Sequence, residues 1–145
     1  MKTKFLSLLF IAATSLAVFT ISCKKEDTAN SNATIIGKWN VMNETYTSYD
    51  SLQNAIGGDT TNYAIGEMVL DFRENGMVID TDEDGEKDTS YYTLTGVKLT
   101  VSDVADMFEP MEFTIQNLTS TDLNFYAVFT EDNGAYEKMS FSAKR

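Results

Sequence analysis

Apolar residues recur at every second position through most of the chain from Ile35 to the C-terminus. A period of two places successive side chains on opposite faces of an extended backbone, which is the pattern of a strand buried on one side. Turn-forming sequences such as Asn75-Gly76 and Asp132-Asn133-Gly134 separate these runs. The pattern predicts an all-β domain of seven or eight short antiparallel strands in a meander, closed as a barrel or packed as a sandwich.

Two segments break the alternation. Asp103–Glu109 has apolar residues at helical spacing and predicts one helical turn, which Pro110 ends. Tyr46–Gly66 is long and rich in Gly and Thr, and we expect a loop there, either a lid or a passive connection. A short helix over residues 51–56 is an alternative for that part of the segment. The tyrosines of this segment either line the mouth of a pocket or are ordinary amphipathic strand residues.

The charge balance and the missing residue types exclude several classes of function. The chain of 145 residues has 22 Asp and Glu against 11 Lys and Arg, one Cys and no His. Without His there is no His-dependent triad, general base or metal site. The acidic balance disfavours nucleic acid as a partner, because that affinity depends on Lys and Arg at phosphates. No nucleophile motif or phosphate-binding loop is present, so we expect a protein that is not an enzyme; a convergent cluster of buried carboxylates with raised pKa would favour one.

The N-terminus has the pattern of a secretory signal. A basic start is followed by a nearly uninterrupted apolar run over residues 5–21, too short and too polar for a typical membrane span. Thr20-Ile21-Ser22-Cys23 resembles the lipobox of bacterial lipoproteins, which implies that Cys23 becomes the acylated N-terminus, with palmitate among its acyl chains. The alternative is an ordinary signal peptide with a chance Cys.

This resemblance defines three parts of the chain. We expect a lipoprotein signal peptide over residues 1–22, a lipid-anchored flexible tether over 23–34 and a barrel domain over 35–145. The implied location is the bacterial outer membrane, facing the periplasm or the cell surface. The predicted partner is then the membrane, through the lipid on Cys23, and we expect a monomer.

The strand pattern resembles the lipocalin-like domains of Bacteroidetes lipoproteins. The four segments that carry the resemblance occur in the order of that family: Ile35–Trp39, Met68–Gly76, Tyr92–Thr100 and Phe113–Leu123. The first contains the Gly-x-Trp of lipocalins at large. The resemblance implies an up-and-down barrel in which Gly37 and Trp39 are structural, with Trp39 closing one end against a basic residue, Lys144 or Arg145.

An eight-stranded barrel has room for one small ligand or for its own side chains. The residues expected inside it are Val41, Leu70, Phe72, Leu94, Leu99, Phe113, Ile115, Leu123 and Phe125. A cavity among them predicts non-catalytic binding of a small hydrophobic or amphiphilic ligand. A filled core predicts instead an interaction module of the cell envelope, with a protein or glycan partner on an outer surface.

A separate acidic segment offers a candidate metal site. Asp80, Asp82 and Asp84 occupy the first, third and fifth positions of a calcium-loop pattern, and Glu86 and Asp88 follow. The twelfth position, where an EF-hand has a bidentate Glu, is Tyr91, so an EF-hand is excluded. Two interpretations stay open, a looser calcium loop and a solvated hairpin turn.

Overall fold

The structure, a computed structural model, describes residues 33–104 and 109–145. The signal peptide, Cys23, most of the tether and the middle of the predicted helical turn lie outside these residues. Among the residues described, no helix is long and apolar enough to cross a membrane.

Nine β-strands form within the described ranges, and every pair of hydrogen-bonded neighbours is antiparallel. The strands are β1 (Gly37–Tyr49), β2 (Ala55–Asn62), β3 (Val69–Phe72), β4 (Met77–Thr81), β5 (Lys87–Thr95), β6 (Lys98–Asp103), β7 (Met111–Leu118), β8 (Asp122–Thr130) and β9 (Tyr136–Lys144).

Strand β1 closes the sheet, because it pairs with both β9 and β3. Its first residues, Gly37–Asn40, pair with β3, and its opposite edge pairs with β9 from Asn40 to Tyr49. The strands β1 and β3 to β9 therefore form a barrel of eight strands, with β2 added beside the second half of β1. The predicted fold class is confirmed by this pairing: an all-β, antiparallel up-and-down meander that closes as a barrel of eight strands.

The expectation of a loop over Tyr46–Gly66 is wrong for most of that segment. Strand β1 continues to Tyr49, and β2 returns beside it in register from Asn43↔Asn62 to Tyr49↔Ala55. Only a tight turn joins them, in which Asp50 Oδ1 accepts hydrogen bonds from the backbone N–H groups of Leu52 and Asn54. The predicted helix over 51–56 is replaced by this turn, whose local Asp–backbone hydrogen bonds compete with helix formation.

One end of the barrel is filled by Trp39 and its partners. Trp39 is fully buried, and its indole N–H donates to the Ile35 carbonyl oxygen at 2.7 Å. Of the two basic candidates, Arg145 holds the expected position, with its guanidinium carbon 3.9 Å from the Trp39 ring centre. Gly37 has a φ of +119°, a conformation that side chains rarely adopt, and a Cβ there would lie 3.7 Å from the same guanidinium carbon. These contacts agree with structural roles for Gly37 and Trp39.

Candidate ligand cavity in the barrel

A cavity of about 170 Å³ lies among the inward-facing side chains of the barrel. Most of its walls are aliphatic or aromatic, and its polar lining consists of two carboxyl groups and one hydroxyl group. The lining residues are Met68, Leu70, Phe72, Val78, Asp80, Asp88, Ser90, Leu99, Val101, Phe113, Phe125 and Phe141.

The strand registers explain why these side chains meet. Residues directly opposite each other on antiparallel neighbours point to the same face of the sheet. Leu70 is opposite Asp80, and Phe72 is opposite Val78. The same rows continue onto β5, where Val78 is opposite Ser90 and Asp80 is opposite Asp88. Leu70, Asp80 and Asp88 therefore form one row of inward-facing side chains across β3, β4 and β5, and Phe72, Val78 and Ser90 form a second. All six side chains line the cavity.

Three phenylalanines form the wall opposite these rows. The ring centres of Phe125 and Phe141 are 4.9 Å apart with the planes 16° from parallel, and Phe113 meets Phe125 edge-on at 5.4 Å. On the other side Phe72 meets Tyr92 edge-on at 5.1 Å. Packed rings in these geometries give a stiff apolar surface, against which a flat ligand can stack.

Five of the nine residues predicted for the pocket line the cavity: Leu70, Phe72, Leu99, Phe113 and Phe125. Val41, Ile115 and Leu123 are buried in the core without lining it. Leu94 was predicted to line the pocket, but it does not. It is opposite the buried Leu99, yet it adjoins the β5–β6 turn at the end of the barrel, and 37% of its surface is exposed.

The sequence analysis missed seven lining residues, for two different reasons. Met68, Val78, Val101 and Phe141 continue the alternation of their strands, so a stricter application of the period-two rule would have included them. Asp80, Asp88 and Ser90 also have the correct parity for the interior. Asp80 and Asp88 were predicted as calcium ligands or residues of a solvated turn, and not as pocket residues, because they belong to an acidic segment.

Asp80 and Asp88 are directly opposite each other on β4 and β5, and both face the cavity. Side chains so placed have Cβ atoms about 4.5–5.5 Å apart, and like charges there are unfavourable. Asp88 Oδ1 accepts a hydrogen bond from the Thr89 backbone N–H at 2.7 Å. Burial raises the pKa of the Asp80 carboxyl above its ordinary value, its own backbone N–H partly offsets this, and the nearby Asp88 and Asp82 raise the pKa further.

The remaining acidic residues of the segment belong to the turn between β4 and β5. Asp82 Oδ1 accepts hydrogen bonds from the backbone N–H groups of Asp84 at 3.0 Å and Glu86 at 2.9 Å. This is the Asp-stabilised turn that was one of the two interpretations. Gly85 completes the turn with a φ of +81°.

The five predicted calcium ligands therefore do not form one ligand set in this conformation. Asp80 and Asp88 face the barrel interior, Asp82 is bonded to turn amides, and Asp84 and Glu86 are exposed. Across residues 33–104 and 109–145, no group of three or more acidic or Cys side chains is arranged to hold a metal ion. Calcium binding stays a prediction of the sequence alone.

The tyrosines of the β1–β2 region make contacts within the fold and do not line the cavity. Tyr46 donates a hydrogen bond to Glu137, which raises its pKa, and the Tyr49 ring stacks on Tyr136 with the ring centres 4.5 Å apart. Tyr63 donates to Glu44 Oε2 at 3.1 Å. Tyr46 and Tyr49 are therefore strand residues of β1 whose side chains pack within the fold, and Tyr63 directly follows β2.

No protein-family model matches this chain. The curated proteins include no match either. Among solved structures, the chain is similar to a crystal structure of apocrustacyanin C1, with 13% sequence identity and a TM-score of 0.45. The similarity covers 76% of this chain and 59% of the other, so the chain spans less than two thirds of that protein. The fold assignment rests on the strand pairing described above.

Proposed function

We propose that this protein binds a small hydrophobic or amphiphilic molecule inside its barrel without chemical conversion. The observation that carries the proposal is the cavity of about 170 Å³, with stiff aromatic walls and a few polar groups on one side. A concave apolar site with a small number of convergent polar groups is the usual form of a small-molecule site. An engineered apolar cavity of about 150 Å³ holds benzene, so the ligand expected here has roughly the size of one ring.

The distribution of packing supports binding over a completely filled core. Part of the interior is filled by fully buried side chains, including Val41, Leu123 and Ala143. Another part is open between Leu70, Val101 and Phe141. A ligand that fills this cavity would give its lining side chains van der Waals contacts that they lack in the empty barrel.

Asp80 and Asp88 are the side chains that acid–base catalysis would use, but the other groups that such catalysis needs do not line the cavity. Ser90 is the one further polar side chain that lines the cavity with them. No lining residue carries a positive charge that would stabilise a developing anion. With no His in the whole sequence, the pair lacks the partners that an acid–base site assembles around its carboxylates.

We further propose that Cys23 carries a lipid and that the barrel is held at the bacterial outer membrane by the tether over residues 23–34. The support is the secretory pattern of residues 1–22 and the lipobox-like Thr20–Cys23. Several acyl chains on one residue give stable attachment, because each buried CH₂ contributes about 0.8 kcal/mol.

Mass spectrometry of the protein purified from the membranes of its host cells tests both proposals. The denatured mass should equal that of a chain beginning at Cys23 plus acyl groups. The native mass should exceed the denatured mass by that of a small organic molecule. Val101→Phe, which places a larger side chain in the cavity, should abolish this excess, whereas Val128→Phe, at an exposed site, should retain it. Equal native and denatured masses for the parent protein, even after incubation with host-cell extract, would contradict the binding function.

A further inference from the structure

The two carboxyl groups in the cavity have no compensating charge within the protein. The ion pairs of the described residues join Arg73 to Asp71 and Lys98 to Glu112, and neither involves Asp80 or Asp88. No Lys or Arg is among the residues that line the cavity. Asp80 is half-buried and Asp88 is exposed. Like charges that are directly opposite each other on neighbouring strands are unfavourable for folding unless a cation joins them.

We infer that the ligand of this cavity is a compact apolar molecule that carries a protonated amine. The inference rests on the proposed binding function and names its ligand class. An ammonium group supplies one positive charge and several N–H donors, and it fits between two carboxylates that already face each other. The Ser90 hydroxyl, on the row next to Asp88, is a further acceptor.

The rest of the cavity fits the body of such a molecule. The walls at Phe113, Phe125 and Phe141 are aromatic, and the aliphatic wall includes Leu99 and Val101. Aromatic faces are compatible with a cation as well as with an apolar ring. An anionic head group is disfavoured because it would add a third negative charge beside two carboxylates.

A divalent metal ion fits the cavity less well than an amine does. Calcium takes six to eight oxygen ligands, and two carboxylates and one hydroxyl supply too few, because the other lining residues are apolar. A metal ion would also leave the aromatic part of the cavity without an occupant. The same two carboxylates therefore point to an organic cation.

Three probes of one ring size separate the contributions of charge and of apolar contact. The experiment measures binding of benzylamine, benzyl alcohol and benzoate to the purified full chain at pH 7 by calorimetry, with CaCl₂ alone as a fourth probe. Benzylamine should bind at least about tenfold more tightly than benzyl alcohol, as expected for hydrogen bonds to charged groups. Benzoate should bind more weakly than either.

The double variant Asp80→Asn/Asp88→Asn removes the charges and keeps the shape of the side chains. It should weaken benzylamine binding about tenfold or more and leave benzyl alcohol binding within about twofold. Asp84→Asn, which removes one charge from the exposed turn of the same hairpin, should change neither. Because the double variant relieves repulsion between like charges, it should also fold.

The outcomes distinguish this inference from the binding function on which it rests. If benzyl alcohol binds as tightly as benzylamine, or if the double variant retains benzylamine binding, the amine assignment is wrong and the cavity is a neutral apolar site. If calcium alone binds and benzylamine does not, the carboxylates hold a metal. If none of the four probes binds and the native mass shows no ligand, both the inference and the binding function are wrong.

Discussion

Asp80 illustrates how a single side chain can be unfavourable for stability and useful for function. It is partly buried, it is opposite another carboxylate, and its pKa is raised mainly by that burial. Such a carboxylate lowers the stability of the folded state wherever it is ionised. Its presence in an otherwise apolar cavity is accounted for if a bound cation removes the penalty.

The raised pKa of Asp80 predicts a specific dependence of stability on pH. Below its ordinary value of 3.8 the carboxyl is protonated in the folded and unfolded chains alike. As the pH rises from there, the unfolded chain releases its proton first, so the free energy of unfolding falls until the pH passes the folded-state value. Asp80→Asn removes this loss, and the ligand-free variant should melt at a higher temperature than the parent at pH 7.

Thermal unfolding between pH 3 and pH 7 measures this effect. The advantage of Asp80→Asn over the parent should shrink as the pH falls toward the ordinary carboxyl range. Asp84→Asn is the matched control, because it removes the same charge from the exposed turn. An Asp80→Asn protein that is less stable than the parent at pH 7 would show that the carboxylate is a structural residue.

At the same scale, the sequence identified apolar cavity residues and missed the polar ones. Phe72 and Phe113 were predicted correctly because an apolar side chain on the inward face of a strand is expected in the barrel interior. Asp80 has the same parity as Val78, two positions earlier on β4, yet its charge and its acidic neighbours indicated a calcium ligand or a residue of a solvated turn. The energetic cost of placing Asp80 inside is the reason that sequence patterning could not predict it.

The β1–β2 hairpin is the element whose structure the sequence analysis did not anticipate. Strand β2 is exposed along its whole length and contains Gly57, Gly58 and Asp59, residue types that are depleted in strands, and it lacks the apolar alternation that indicates a strand. Its backbone is held by pairing with β1, and the hairpin is connected to the barrel because the same residues of β1 pair with β9. Strand β2 therefore forms because its backbone pairs closely with that of β1, and not because of an apolar pattern in its own sequence.

Gly58 is the residue on which that close approach depends. A Cβ on Gly58 would lie 2.6 Å from the Tyr46 carbonyl oxygen, whereas a Cβ on Gly57 would meet nothing within 4 Å. Gly58→Ala should therefore separate β2 from β1 and cost about 1–3 kcal/mol of stability, while Gly57→Ala should cost less than half as much. Amide hydrogen exchange should rise in Ala55–Asn62 of the Gly58→Ala variant and stay low in β7 and β8. Equal effects of the two substitutions would contradict the packing described here.

For the whole molecule, period-two alternation and the order of the turns predicted an antiparallel meander, closed as a barrel or packed as a sandwich. The choice of a barrel, and the contact between Trp39 and a basic residue at the C-terminus, were implied by the resemblance stated above. The extent of the cavity could not be predicted, because it depends on how the inward rows of several strands align. Leu94 and Leu99 show this, since they are opposite each other but differ greatly in exposure.

The barrel interior combines a filled part with an open cavity. The contact between Trp39 and Arg145 joins the first and last strands, while the carboxylate pair and the phenylalanine wall line the open part of the interior. With the lipid anchor proposed at Cys23, the binding domain would stay at the membrane and meet ligands in the envelope. Binding, in this account, is a property of the barrel interior and needs no second protein.

A crystal structure of the protein purified from its host cells, without added ligand, would show whether the barrel interior holds a molecule. We expect continuous density for a compact organic molecule between the Asp80–Asp88 pair and the rings of Phe113, Phe125 and Phe141, with a nitrogen in hydrogen-bond contact with at least one carboxylate. A cavity that contains only water, or one closed by movement of its own side chains, would contradict ligand binding and favour an interaction module with a filled core.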